Sequence, residues 1–339
     1  FNVALAAAKQ GIYRPGWTAA EAATANHQAS LLPYLAGMTL VDQINVADVE
    51  DERVHDYRAS SDRSVQGFPT EFNQFAALDC ADAPETCTPM DGGRRINGAE
   101  AFTLHTRPGE DLILITRVHP AHAGTFDVYA NDQLIAERAI PFLPGSWLEI
   151  ATFIPAANVT SDQTQIRIVP RLAEGDYIPY RHWAWQGDYQ GDAAPGQPAA
   201  AIYQDDAFSL AHTAIRQARG YLSVELAWRN DGAASGDWIA FVHLYPEGDE
   251  TRVITQTDRR PGNGTLPPGD WLPGALNDTF VIDLAGVPPG RYDVATGFYA
   301  PVTFERLIPT LTDAAPPDFR ITDDGRLFIG TIEVEDAAS

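Results

Sequence analysis

The feature that most constrains this chain is a two-residue alternation of apolar and polar side chains, which takes over from about residue 38. In "YLSVELAW" (221–228), Leu222, Val224, Leu226 and Trp228 fall on one face. Successive side chains of a strand point to opposite sides, so such a run buries one face and wets the other. The same period places Phe102 and Leu104 together in "AFTLHT", and Phe280, Ile282 and Leu284 in "TFVIDL". It groups Tyr292, Val294, Thr296 and Phe298 in "VPPGRYDVATGFY", and Phe328, Ile332 and Val334 in "RLFIGTIEVE". "DLILITRV" and "WIAFVHLY" are apolar on both faces, as central strands are. "TFDVYANDQLIAERA" reads as a hairpin turning at Asn131-Asp132. "WLEIATFIP" and "TQIRIVP" read as strands closed by a proline. No helix-length periodic segment separates the strands, which argues against an α/β sheet and for layered antiparallel sheets.

The expected fold is all-β, with two β-sandwich domains after a short helical segment. The 339 residues suffice for two ordinary domains. Residues 1–37 form a helical lead or stalk: "TAAEAATANHQASLLPYL" is alanine-rich, Thr18 and Glu21 have capping-box spacing, and Pro33 and Gly37 end it. Residues 38–187 read as a jelly-roll-like sandwich, with a loop-rich acidic stretch over 48–100. The Gly/Ala/Pro-rich run "GDYQGDAAPGQPAA" marks a linker, taken as 188–203. Residues 204–339 read as an immunoglobulin-like sandwich, with turns every 8–12 residues or so but without that fold's paired cysteines.

Charge narrows the partners. With a net charge of −23, the chain repels phosphates, which argues against nucleic acid and against an anionic membrane surface. Lys9 is the only lysine, and an acidic surface of this kind favours solubility. No span of 18 apolar residues is present, so the chain is not expected to cross a membrane; "FNVALAAAKQG" lacks the basic start and apolar middle of a signal peptide. Cys80 and Cys87, in the polar loop "CADAPETC", are either a small disulfide or free thiols. The spacing favours the disulfide, and with it an oxidising compartment; the ligands that a zinc site would need are not nearby. Asn158, Asn263 and Asn277 head glycosylation sequons.

The densest candidate site is "YIPYRHWAWQGDY" (177–189). On a strand, Trp183, Trp185 and Tyr189 share a face, and with Tyr180 they could stack on sugar rings; the competing reading is a strand whose rings pack at a domain junction. His119 and His122 flank Pro120, which spoils the helical spacing of a metal pair, so they read as turn residues. The acidic groups Asp48, Glu50, Asp51 and Glu52, and Asp205 with Asp206, are weak candidates for a structural calcium ion, against the alternative of solvated surface. No nucleophile elbow or phosphate loop occurs, and no other cofactor is expected.

The run from "DRRPGNGTLPPGDWLPG" through "VPPGRYDVATGFYAPVTFERLIP", closed by "GRLFIGTIEVE", resembles the C-terminal extracytoplasmic region of large bacterial membrane glycosyltransferase-like proteins of the protein-mannosyltransferase class. "GSWLEIATFIPAANVT" and "YIPYRHWAWQGDY" resemble the preceding module there, and "NVADVEDERVHDY" its opening, so the similarity covers roughly residues 38–337. "CADAPETC" departs from it. The resemblance implies a place at the cell surface or the outer face of the cytoplasmic membrane, and it carries over no catalytic residue. The expected function is a non-catalytic region that binds a glycan or another envelope protein. Two alternatives stand beside it: a structural cell-surface protein that self-associates, and a secreted carbohydrate-active enzyme.

Overall fold

The computed structural model describes residues 35, 37–46, 48–60, 70–72, 92–143, 148–189, 198–218 and 220–335. The helix expected within 1–37 lies outside them, apart from Leu35 and Gly37, as do Cys80 and Cys87. The chain forms two compact units, 1–190 and 191–339. Each is an all-β sandwich, as the alternation demands.

The first unit contains β1 (Thr39–Asn45), the short helix α1 (Val49–Val54), β2 (Arg58–Ala59), β3 (Thr70–Phe72), β4 (Gly92–Arg94), β5 (Glu100–His105), β6 (Asp111–Val118), β7 (Gly124–Ala130), β8 (Gln133–Ile140), β9 (Leu148–Ile154), β10 (Gln163–Leu172) and β11 (Pro179–Gly187). One sheet runs β1-β11-β6-β9 and the other β2-β5-β10-β7-β8, all antiparallel. Taken alone, the eight long strands pair first with last, second with seventh, third with sixth and fourth with fifth. That is a long hairpin rolled on itself, the jelly roll. Ile44, Leu112, Leu114, Ile150 and Ala184 of one sheet meet Phe102, Leu104, Phe126, Val128, Ile166 and Ile168 of the other in a single core. The hairpin turn has Asn131 at φ 49° and Asp132 at φ 64°, the left-handed pair that a tight primed turn requires. β10 runs on through Pro170 to Leu172, past the expected stop; β5 no longer pairs with it after Ile168, so proline is tolerated there.

Helix α1 breaks the loop expected over 48–100. Asp48 caps it, accepting from the backbone N–H of Glu50 at 3.0 Å and of Asp51 at 3.1 Å. Acidic residues in the first turn complement the helix dipole. At six residues it is too short to leave a periodic signature.

The second unit contains β12 (Ala201–Tyr203), β13 (Phe208–Ala218), β14 (Tyr221–Asn230), β15 (Ile239–Pro246), β16 (Thr255–Arg259), the one-turn helix α2 (Pro261–Gly264), β17 (Gly274–Asp283), β18 (Gly290–Tyr299), β19 (Arg306–Leu307), β20 (Thr310–Leu311), β21 (Arg320–Ile321) and β22 (Leu327–Val334). Its sheets run β17-β14-β13-β12-β20 and β16-β15-β18-β22-β21, with β19 beside β18. The stretch expected as linker therefore ends in a strand, β12, which pairs with β13 and β20. The inward rows of β14, β17 and β18 are those the alternation groups together. Trp271 of the "DWLPG" turn fills the core, its Nε1–H donating to the Leu266 carbonyl at 3.0 Å.

One expected row fails. Phe328 does not join Ile332 and Val334 in the core; it packs on the opposite face with Tyr245 and Ala295. Register slips where Val294 pairs with Gly330 but Ala295 with Phe328, which leaves Ile329 as an extra residue. A bulge reverses the parity of everything before it, so Leu327 and Ile329 turn inward instead.

Candidate functional site

The residues 177–189 do not form an open platform. Strand β11 is internal to its sheet. Ala184 faces the core, and Trp183 and Tyr180 are both buried. Trp183 lies against the guanidinium of Arg117, 5.0 Å from its ring centroid, and that of Arg181, at 5.7 Å. No pyranose can stack on Tyr180 or Trp183 without displacing what covers them. Trp185 is half-buried, and half-buried Tyr189 packs on Phe153 with centroids 4.8 Å apart.

The other sequence candidates are placed as follows. Asp48 caps α1, Asp51 accepts from the Asn45 N–H at 3.0 Å, and Glu50 pairs with Arg53 on the surface. Asp205 and Asp206 are exposed in a turn at φ 54° and 76°. His119 and His122 sit in the β6–β7 connection, the His119 N–H bonding the Ile178 carbonyl. Burial, then the neighbouring His122 and Arg95, lowers the His119 pKa. Asn158 is half-buried and donates to Gln133 at 2.8 Å, whereas Asn277 is exposed on the edge strand β17. The side chain of Asn263 lies outside what is described.

The second unit holds an aromatic array that the sequence did not single out. On the outer face of its β15–β18–β22 sheet, Phe241, Tyr245 and Phe328 each lie under an arginine. Arg306 stands 5.4 Å from the Phe241 ring, Arg326 stands 5.2 Å from Tyr245, and Arg320 stands 3.6 Å from Phe328. Guanidinium planes cover ring faces while keeping their charge near water. Gly297 makes room: a Cβ there would meet the Phe241 ring at 2.8 Å.

The ring row then leaves this cover. Tyr299, at the end of β18, lies 6.2 Å from Phe241 and 5.9 Å from Phe304, nearly parallel to the latter at 24°. Phe304 is 71% exposed and sits at φ 60°, a conformation a bulky side chain rarely adopts. The turn holds it there: the Phe304 N–H donates to the Ala300 carbonyl at 2.9 Å and the Ala300 N–H to the Glu305 carbonyl at 2.8 Å. Val302 and Ile308 flank it, both largely exposed.

A polar rim adjoins the rings. The Tyr299 hydroxyl donates to Asp258 Oδ2 at 3.1 Å, and Asp258 Oδ1 is 2.8 Å from His243 Nε2. Burial, and then the Asp258 charge, pushes the Tyr299 pKa up to about 12, so its hydroxyl remains a donor at neutral pH. The arrangement offers an exposed ring face, a second ring nearly parallel to it, and a carboxylate and hydroxyl at the edge. The one signal in the sequence is "YAPVTFERLI", where apolar side chains occupy a turn after a strand instead of polar ones.

No family model and no curated protein matches this chain. Among solved structures it is similar to a β-glucuronidase of Bacteroides uniformis, at 14% identity, covering 78% of this chain and 33% of that one, with a TM-score of 0.22. It is also similar to a glycosyl hydrolase family 2 member from Bacteroides cellulosilyticus, at 9% identity, covering 69% of this chain and 31% of that one, with a TM-score of 0.21. The chain spans about a third of the length of those structures. Scores of that size carry nothing about activity to this chain. No helix among the described residues is long and apolar enough to cross a membrane.

Proposed function

We propose that this chain is a non-catalytic, extracytoplasmic glycan-binding region of a cell-envelope protein, and that it binds through Tyr299 and Phe304. The observation that supports the reading is the exposed, nearly parallel Tyr299–Phe304 pair with Asp258 at its rim. Ring faces stack on the apolar faces of pyranoses, and a carboxylate beside them accepts from sugar hydroxyls. Backbone strain at Phe304 fits a side chain held out for a partner. The resemblance of residues 38–337 to the outer region of membrane glycosyltransferase-like proteins supports the same location, and we take the second sandwich as immunoglobulin-like on its strand order. The test is a glycan array followed by calorimetry on the hits. Phe304→Ala should abolish binding at an unchanged melting temperature. Binding that survives Phe304→Ala, or an array without hits, rejects the reading.

A second reading, self-association through the same loop, draws on Val302 and Ile308, whose exposed aliphatic side chains suit a protein partner better than a sugar. Concentration-dependent light scattering that Val302→Ser abolishes would favour it.

A further inference from the structure

Asp42, His55 and His105 come together at the rim of the first sandwich, from β1, the C-terminal end of α1 and the end of β5. A bulge in β1 breaks its register with β11 between Leu40 and Asp42, a device that re-aims side chains. Asp42 Oδ1 lies 3.2 Å from His55 Nε2, and Oδ2 lies 3.1 Å from His105 Nδ1. One ligand atom from each residue falls within 4.8 Å of the others. Tetrahedral zinc, with bonds of about 2.0–2.1 Å, sets its ligand atoms about 3.3 Å apart, a spacing that the Asp42 Oδ1–His55 Nε2 pair already has, while the His105 contact is to the other carboxylate oxygen.

Hydrogen placement gives a second, independent indication. His55 Nδ1 is 2.7 Å from the Asp51 carbonyl oxygen. A carbonyl can only accept, so Nδ1 carries the hydrogen, and in the tautomer with its one hydrogen there Nε2 presents a bare lone pair. That lone pair faces a carboxylate oxygen. Two acceptors confront each other there unless a positive charge, a proton or a metal ion, lies between them. A backbone carbonyl holding the far nitrogen of an imidazole is also what orients a metal-ligating histidine. Asp42 is held in turn by the His105 N–H, which donates to Oδ2 at 2.6 Å. His55 is buried while the His105 side chain is 55% exposed, so the cluster has a fixed inner wall and an open approach. The alternative is an inward-pointing acid on an edge strand, satisfied by its contacts with His55 and His105 alone.

We propose that Asp42, His55 and His105 bind one divalent transition-metal ion of the zinc class, with solvent completing the coordination. Two imidazoles and one carboxylate suit Zn²⁺ and its neighbours, whereas Ca²⁺ takes six to eight oxygens. The bound ion would tie the neighbouring β1 and α1 to β5, which follows α1 only after a long stretch of chain. The site is distinct from Asp48 and Asp51, whose carboxylates serve backbone N–H groups.

The experiment strips the full chain with a chelator and titrates it with ZnCl₂ by calorimetry. Co²⁺ absorbance then reads the geometry, and thermal melting reads the stabilisation. One Zn²⁺ per chain, a raised melting temperature and no response to CaCl₂ are expected. His105→Ala removes an exposed ligand and should weaken binding more than about 100-fold, beyond the roughly 10–100-fold that outer-shell changes cost. Asp42→Asn should weaken it as well, with circular dichroism confirming that both variants fold. Absence of saturable Zn²⁺ binding overturns the proposal. So does equal affinity in His105→Ala, which would place the ion on other histidines.

Discussion

Tyr177→Phe tests whether the first sandwich depends on donors to a buried carboxylate. Glu100 is completely buried between the sheets. Its Oε1 accepts from the Tyr177 hydroxyl at 2.8 Å, its Oε2 from the Tyr57 hydroxyl at 2.8 Å, and His182 Nε2 stands 3.3 Å away. Phenylalanine keeps the ring in the core and removes only the donor. A hydrogen bond to a charged group contributes about 1.5–3 kcal/mol, so the variant should lose that much at pH 7. The alkaline limb gives a second and opposite signature. Burial, and then Glu100, holds the Tyr177 hydroxyl well above its ordinary pKa. Above about pH 10 the unfolded tyrosine ionises while the folded one keeps its proton, so the folded state binds more protons and stability falls as pH rises. Below pH 10 both states are protonated and nothing is lost. At pH 11 this one group costs the wild type about 1.4 kcal/mol, from RT ln(1 + 10), a loss the phenylalanine variant escapes. Urea unfolding at pH 7, 9 and 11 should therefore show the variant weaker at neutral pH and its deficit shrinking at pH 11. A cost below about 0.5 kcal/mol at pH 7, roughly a sixth to a third of what a charged-group hydrogen bond contributes, together with parallel alkaline limbs, would refute the reasoning.

Three further perturbations read other parts of the molecule. Gly297→Ala should cost about 1–3 kcal/mol in urea unfolding, because its Cβ collides with the buried Phe241 ring, and Phe241→Leu in the same chain should recover part of that loss. Arg117 and Glu149 form a buried pair at 2.6 Å, so Glu149→Leu alone should cost about 3–5 kcal/mol, while Arg117→Met with Glu149→Leu should cost far less in a double-mutant cycle. Arg320→Ala should expose the Phe328 ring, lowering the melting temperature and raising binding of a hydrophobic dye.

The sandwich architecture was legible because alternation is a local signal. Leu222, Val224, Leu226 and Trp228 announce the inward face of β14 without reference to any other strand. The Asn131-Asp132 turn was legible for the same reason, since those two side chains tolerate left-handed backbone. Phe328 was misplaced because parity is local only until a bulge intervenes, and nothing in "RLFIGTIEVE" marks Ile329 as the extra residue except the permissive Gly330 beside it. Helix α1 was missed because a six-residue helix rests on its cap and on tertiary packing, not on a periodic face.

The metal cluster and the polar rim beside Tyr299 escaped the sequence for a different reason: each is assembled from residues far apart in the chain, whereas Tyr299 and Phe304 lie in one short run. Asp42, His55 and His105 come from three elements, and only the closure of the jelly roll, which sets β1 and β5 at the margins of facing sheets, makes them neighbours. Tyr299, Asp258 and His243 sit on three strands whose order places β15 between β16 and β18. The densest aromatic run in the sequence, 177–189, owes its density to the opposite circumstance. An internal strand covered on both faces needs large side chains on both, so Tyr180 and Trp183 are buried where the composition suggested a platform. In a sandwich the rings free to meet a ligand are those the ladder has released. Phe304, one turn beyond the end of β18 and held at positive φ, meets that condition.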